Sequence, residues 1–200
     1  MENRLLGAGR LFASHYQIVV CDDPSATISD DANWSEEKFS RGFAGTPTFR
    51  MIGTEADLND HWVELVATSQ PPSSEEWQRI TCAHFSSRSG KIHVMSVVDD
   101  LPLLSAEIVP GDYGLYAAAQ NLGIDQLSLG EEGKLTDSEI SRRKDIEWYR
   151  LFIVPGKPET EGRLIDRPVP TSPGVWGAVG IKHGRVMPAN CFGLPMAAAL

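Results

Sequence analysis

The sequence predicts an all-β or β-rich α+β fold, an antiparallel β-sandwich-like domain with one or two short helices. Short runs of β-branched and aromatic residues recur along most of the chain, with side chains of alternating polarity. Glycine, proline, aspartate and serine separate these runs at near-regular spacing. Only two segments combine a capping residue with a helical composition. Many short strands with few helices are typical of a sandwich or a strongly curved sheet.

The predicted strands are short apolar runs, and each is bounded by turn residues. Turn-forming clusters at residues 86–90 and 110–112 each separate two such runs, which predicts two β-hairpins. The predicted strands span residues 11–21, 48–52, 61–68, 80–85, 91–98, 103–109, 113–119 and 148–154.

One helix is predicted over residues 35–42. Ser35 can accept a hydrogen bond from a backbone N–H that has no partner in the first turn, and Gly42 is a natural end. Glu36 and Glu37 lie in that first turn, where the helix dipole favours negative charge.

The composition divides the chain into two parts. Residues 10–155 are predicted to form one β domain, with an insertion at about 122–147. The second predicted helix lies in that insertion, within residues 136–147, where a capping box marks its start. Residues 156–200 are rich in proline and are predicted to be a C-terminal extension, with a single strand candidate at 175–181.

The charge of the chain disfavours several classes of partner. Of the 200 residues, 18 are Lys or Arg and 27 are Asp or Glu, which gives a net charge of −9. Direct binding to nucleic acid or to an anionic membrane depends on Lys and Arg, so neither is expected. No apolar run approaches the roughly 20 residues that cross a bilayer, so membrane insertion is not expected. Three widely spaced cysteines do not form a disulfide framework, and a cytoplasmic location is expected.

Candidate catalytic chemistry is sparse. Cys82 and His84 share one face of a predicted strand, but no second pair of ligands stands at zinc-site spacing. The sequence contains no nucleophile elbow, P-loop or dinucleotide fingerprint. We therefore expect Cys82 to be a buried packing residue and predict no catalytic residue, metal or cofactor. Two alternatives stay open, an enzyme with a Cys–His or carboxylate site and a β-rich ligand-binding module.

One acidic stretch is the candidate binding site for a basic protein partner. Between residues 22 and 37 there is no Lys or Arg. An anionic surface can occupy a cationic site on another protein, although a solvated loop also explains such a run. The predicted contacts are Asp22, Asp23, Asp30, Asp31, Glu36 and Glu37.

Four segments together resemble the competence protein J family over about residues 10–120. They are residues 14–20, 34–44, 90–94 and 110–115. The landmarks are a Tyr-Gln strand, a Trp-led acidic helix that ends in Gly-Phe-Ala, and a Gly-Asp-Tyr turn. The residues concerned are Tyr16, Gln17, Trp34, Gly42, Phe43, Gly111, Asp112 and Tyr113.

The resemblance implies a protein without catalytic activity that binds and inhibits a DNA-degrading nuclease. The nuclease would be either the one that acts in DNA uptake or an antibacterial toxin, in which case the chain is its immunity partner. The landmark residues also have structural explanations, since Gly42 suits a helix end and Phe43 can cover the core beside it.

Overall fold

The computed structural model describes residues 3–26, 33–123 and 146–169, and the backbone alone of 180–182 and 185–187. These residues form two large β-sheets, one short α-helix and one turn of 3-10 helix at Ser74–Glu76. The strands are mainly antiparallel, which confirms the predicted fold class. Within the described residues, no helix is long and apolar enough to cross a membrane.

The first sheet has six strands and the second has five. In spatial order, the six are β1 (Arg4–Ala13), β5 (Asn59–Ala67), β10 (Trp148–Pro155), β9 (Gly111–Gln120), β6 (Arg79–Ser87) and β11 (Gly162–Asp166). The five are β3 (Phe43–Thr46), β4 (Phe49–Gly53), β2 (Gln17–Cys21), β7 (Lys91–Met95) and β8 (Leu104–Glu107). A separate pair joins β12 (Gly180–Lys182) to β13 (Arg185–Met187). Among the described strands, β5 and β10 form the one parallel pair.

The main core lies between the two sheets. Alternate residues of β2 and β7 meet alternate residues of β5, β6, β9 and β10 in one apolar cluster. Its largest fully buried members include Tyr149, Phe85, Ile18, Leu115 and Leu151. Two smaller clusters cover the outer faces, around Trp77 and Trp148 on the six-stranded sheet and around Val19 and Met51 on the five-stranded sheet. The central strands β2, β9 and β10 are therefore buried on both faces along most of their length.

Both predicted hairpins are wrong, because the flanking strands belong to different sheets. Strand β6 pairs with β9 in one sheet, and β7 pairs with β8 in the other. The two clusters of turn residues are corners at which one long hairpin bends from sheet to sheet. Ile108 N donates to Gly90 O at 2.9 Å and holds the corners side by side. A glycine at positive φ (77° at Gly90) permits such a corner as readily as a tight turn.

The predicted strand at 11–21 is in fact two strands. The chain turns at His15 and Tyr16, both with positive φ, so that β1 enters the six-stranded sheet and β2 the five-stranded sheet. The sequence there contains no glycine or proline, and so the turn was not predicted. The short strands β3 and β11 were also not predicted.

Three predictions concern parts of the chain outside the described residues or remain predictions. Most of the second helix at 136–147 and most of the strand candidate at 175–181 lie outside them. The division of the chain at residue 155 stays a prediction, although β11 of the C-terminal part pairs with β6.

Candidate partner-binding surface

The helix α1 (Glu36–Arg41) forms where the sequence predicts it. The Ser35 hydroxyl accepts a hydrogen bond from Lys38 N at 3.4 Å and so caps the first turn. Gly42 ends the helix with φ of 81°, and its N–H donates to the carbonyls of Lys38 and Phe39. The helix buries none of its residues, so its side chains stand on the surface of the protein.

A groove of about 340 Å³ lies between α1, the turn that precedes β2 and the chain at the end of β4, and Arg163 of β11 also lines it. Its apolar lining comes from Tyr16, Trp34 and Phe39, together with Gly42 and Gly53. The rings of Trp34 and Phe39 stack at 4.8 Å between centroids. Three aromatic side chains therefore line one concave surface, the arrangement found at the centre of protein interfaces.

Three landmark residues of the first two segments, Tyr16, Trp34 and Gly42, line this groove. Trp34 packs on the outer face of the five-stranded sheet, and its Nε1 donates to Gln17 Oε1 at 2.7 Å. Gly42 lies in the groove wall, where a Cβ would stand 2.8 Å from the Thr81 hydroxyl. Phe43 faces the core instead, and the guanidinium carbon of Arg41 lies 4.5 Å from the centroid of its ring in a cation–π contact. The spacing of these residues thus builds the shape of the groove.

The third landmark lies at the start of β9 and has a structural role. Asp112 Oδ1 is 2.8 Å from His84 Nε2, and this hydrogen bond lowers the pKa of the carboxyl. Lys157 Nζ is 3.7 Å from the other oxygen of Asp112. The Tyr113 hydroxyl donates to Val109 O, and Gly111 begins the strand at a sheet corner. These residues fix the corner between β8 and β9.

Asp22 is the predicted contact that the structure places inside the protein. The residue is only 9% exposed, and its carboxylate accepts hydrogen bonds from Ser87 Oγ (3.0 Å) and from Ser89 N (3.0 Å) and Oγ (2.6 Å). Burial raises the pKa of Asp22, but these hydrogen bonds outweigh it and the net shift is downward. Asp22 thus stabilises the corner between β6 and β7, and its carboxylate is bonded within the protein.

The other acidic residues divide into exposed ones and ones outside the described chain. Asp23 is exposed and accepts hydrogen bonds from Ser25, which lower its pKa. Glu36 and Glu37 are exposed on α1, and Glu37 lies 3.9 Å from Arg41 one turn later. Asp30 and Asp31 lie outside the described residues.

Sequence reasoning missed five residues that line the groove, namely Phe39, Gly53, Thr54, Glu55 and Arg163. Phe39 is 54% exposed, and Glu55 comes from the connection between β4 and β5. Phe39 could have been found, because a lone aromatic residue among the polar side chains of a short exposed helix has no core to fill. Glu55 could not, since only the folded chain brings residue 55 beside α1.

The described cysteines and histidines do not form a reactive group. Cys21 and Cys82 are both fully buried, and burial raises the pKa of their thiols to about 12 and about 11. The prediction that Cys82 packs in the core is confirmed. Among residues 3–26, 33–123 and 146–169, no three His, Cys, Asp or Glu side chains are grouped to hold a metal ion.

The profile of the competence protein J (ComJ) family matches residues 10–134, more than half of the chain. The chain belongs to the competence protein J family. The matched region contains both corners of the long hairpin, α1 and every residue of the groove except Arg163. The region that matches the family profile thus includes nearly all of the groove.

Two solved structures resemble this ComJ family member. ComJ from Bacillus subtilis, described as an inhibitor of the DNA-degrading activity of NucA, has a TM-score of 0.57 and 15% identity over 78% of this chain and 100% of that one. This likeness shows a shared fold. The product of crocagin biosynthetic gene J has a TM-score of 0.45 and 18% identity over 80% and 100%. No curated protein sequence matches.

Proposed function

We propose that this protein binds and inhibits a DNA-degrading nuclease and performs no catalysis of its own. Its family membership supports the proposal, as does the description of the related ComJ structure as an inhibitor of such an activity. One observation on this chain supports it further, namely that the acidic side chains of α1 stand beside an exposed aromatic groove.

The physical reason is charge complementarity with the partner. A nuclease presents a cationic groove to the phosphates of DNA, and a protein with net charge −9 is attracted to it. Exposed carboxylates such as Glu36 and Glu37 raise the association rate and compete with DNA for the same site. Salt screens them over about 8–10 Å, so inhibition should weaken as salt rises.

The proposed contacts are the exposed members of the acidic stretch. Asp23, Glu36 and Glu37 are exposed in the structure, and Asp30 and Asp31 are included on the basis of the sequence. Asp22 is left out because its carboxylate already accepts hydrogen bonds from Ser87 and Ser89.

The first experiment identifies the nuclease and measures its inhibition. Tagged protein is recovered from the cells that encode it, and the proteins that co-purify are identified by mass spectrometry. The degradation of linear DNA by the recovered nuclease is then measured with and without the purified protein. The same capture decides between a nuclease of DNA uptake and an antibacterial toxin.

The second experiment removes charge and keeps shape. The variant Asp30→Asn, Asp31→Asn, Glu36→Gln, Glu37→Gln should inhibit less, mainly through slower association, while its circular dichroism stays that of the parent. The matched control, Glu75→Gln, Glu76→Gln, Asp99→Asn, Asp100→Asn, removes the same charge from exposed residues elsewhere.

The two variants separate local contact from net charge. A smaller loss in the control than in the first variant supports the acidic stretch as the contact. If the first variant protects DNA as well as the parent at both low and high salt, the contact lies elsewhere on the protein.

A further inference from the structure

The turn between β1 and β2 places two bulky residues in a backbone conformation that asparagine and glycine normally occupy. Ser14 and Gln17 form a β-bridge across it, and His15 and Tyr16 between them have φ of 59° and 56°. A two-residue connection with positive φ at both positions is a type I′ turn, for which Asn-Gly is preferred. A histidine and a tyrosine are strained there by contact of Cβ with the backbone. Burial does not compensate for this strain, since Tyr16 is 50% exposed.

Surrounding hydrogen bonds hold the strained turn in place. Thr54 N donates to Tyr16 O at 2.9 Å, and Tyr16 N donates to the carboxylate of Asp57 at 3.2 Å. The same oxygen of Asp57 accepts from Leu58 N at 2.9 Å. Leu58 also has positive φ, 52°, and is 66% exposed. One carboxylate thus bonds to the main chain of two residues that have a strained backbone and a large exposed side chain. Such strain is concentrated at functional sites.

The turn is adjacent to the candidate surface. Tyr16 and Phe39 both line the aromatic groove, and each exposes half or more of its surface. Glu36 and Glu37 stand on the same helix as Phe39. The cations nearby are bonded within the protein, Lys38 to Asn33 O, Arg41 to Glu161, and Arg163 of the groove lining to Asp166. An exposed aromatic centre flanked by charged side chains has the composition of a protein interface.

We propose that Tyr16 and Phe39 are the central contacts with the partner, and that they meet arginine and lysine side chains in the cationic cleft of the nuclease. This inference rests on the proposed function. Charge complementarity selects the occupant, because aromatic faces attract cations and Glu36 and Glu37 extend the attraction around them. The strain of the turn is retained because the side chains that cause it bind the partner.

The test replaces the turn with its preferred sequence. In the double variant His15→Asn, Tyr16→Gly, the melting temperature should stay the same or rise by about 2–4 °C as strain is relieved. Inhibition of the nuclease that co-purifies with the wild-type protein should weaken at least tenfold. Phe39→Ala provides a second variant that leaves the turn intact, and it should weaken inhibition by a similar factor.

The control is a substitution of an apolar residue that lies away from the groove and is more exposed than Tyr16 and Phe39. Val109 is 75% exposed. Its neighbour Ile108 bonds to Gly90, and this contact lies at the end of the five-stranded sheet opposite Gln17. Val109→Ala should leave inhibition unchanged within twofold.

The outcomes distinguish the two proposals. Undiminished inhibition by both the double variant and Phe39→Ala overturns the proposed interface and leaves the inhibitor function standing. A loss of the same size in Val109→Ala also overturns it, since the contact is then not local. A wild-type protein that captures and inhibits no nuclease overturns the proposed function and the interface together.

Discussion

Arg50 of β4 donates a hydrogen bond from Nε to the main-chain oxygen of His84 in β6, at 2.7 Å, and so joins the two sheets. A second donor of the same guanidinium bonds to Gly45 O at 3.0 Å, and Glu161 lies 3.6 Å away. The Arg50 side chain is buried, and burial lowers its pKa to about 10. The group therefore stays charged at neutral pH and closes one edge of the sandwich.

Removal of this buried cation should be costly. Arg50→Met is expected to lower the free energy of unfolding by about 2–4 kcal/mol, because the half-buried carbonyls of Gly45 and His84 lose a donor and Glu161 loses one of its cationic partners. Arg10→Met is the matched control, since Arg10 pairs with Asp60 at 3.4 Å near the surface, and about 0–1 kcal/mol is expected. Urea denaturation measures both. Equal losses would show that Arg50 is not a special link between the sheets.

Asp22 should matter for stability and not for binding. Asp22→Ala is expected to cost about 1–3 kcal/mol, because Ser89 N then lacks its acceptor and the hydroxyls of Ser87 and Ser89 keep only main-chain oxygens. The pKa of Asp22 is lowered in the folded protein, so its contribution is present above the ordinary pKa near 3.8 and is lost as pH falls through the folded value. Asp23→Ala, an exposed neighbour, should leave the denaturation midpoint unchanged. A midpoint shift in Asp23→Ala as large as that in Asp22→Ala would argue against this assignment.

Gly42→Ala should be more destabilising than Gly156→Ala. Both glycines have positive φ, 81° and 98°, so each substitution costs about 1–2 kcal/mol from the backbone alone. An added Cβ at Gly42 would also stand 2.8 Å from Thr81 Oγ1, whereas nothing lies within 4 Å of one at Gly156. The difference between the two melting temperatures isolates the steric part. Equal melting temperatures would mean that Thr81 moves aside without cost.

The buried pair His61 and Glu147 should give opposite dependences of stability on pH. Burial lowers the pKa of His61 to about 4 and raises that of Glu147 to about 7. Between pH 4.5 and 6.5 the unfolded chain binds a proton at His61 that the folded chain lacks, which makes stability rise with pH. In the same range the folded chain holds a proton at Glu147 that the unfolded chain lacks, which makes stability fall with pH.

Single variants should separate these two effects. His61→Leu leaves the Glu147 contribution, so the free energy of unfolding should fall by up to about 1.4 kcal/mol per pH unit from pH 4.5 to 6.5. Glu147→Gln leaves the His61 contribution and should give the opposite slope. Urea denaturation at three pH values measures both slopes. Slopes of the same sign in the two variants would contradict the assignment.

The sequence predicted those features that depend on local chemistry. Ser35 and Gly42 define the ends of α1 because a cap and a left-handed residue act on their nearest neighbours in the chain. Most of the strands were likewise found from their apolar runs, but the short β3 and β11 were not. The way strands pair was not, because the turn residues at 86–90 fit a hairpin and a sheet corner equally well. Only the register of β6 with β9 decides between them.

The candidate surface was predicted only in part. Acidic residues can be counted along a sequence, but which carboxylate turns inward is decided by partners far away in the chain. Asp22 shows this, since its donors in Ser87 and Ser89 are more than sixty residues distant. The aromatic groove depends likewise on Tyr16 and Phe39 coming together across two separate elements.

The two ends of the connection between β9 and β10 are hydrogen-bonded to each other. Asn121 Nδ2 donates to Ile146 O at 3.1 Å, and Gly123 N donates to Glu147 Oε1 at 3.2 Å, so the two ends of the connection are fastened to each other. Because these hydrogen bonds hold the two ends together, the stability of the sheet should depend little on the length of the chain between them. Lengthening a closed loop adds little entropic cost. Exchange of that segment, or insertion of a reporter or a second binding unit there, is therefore expected to leave the fold intact.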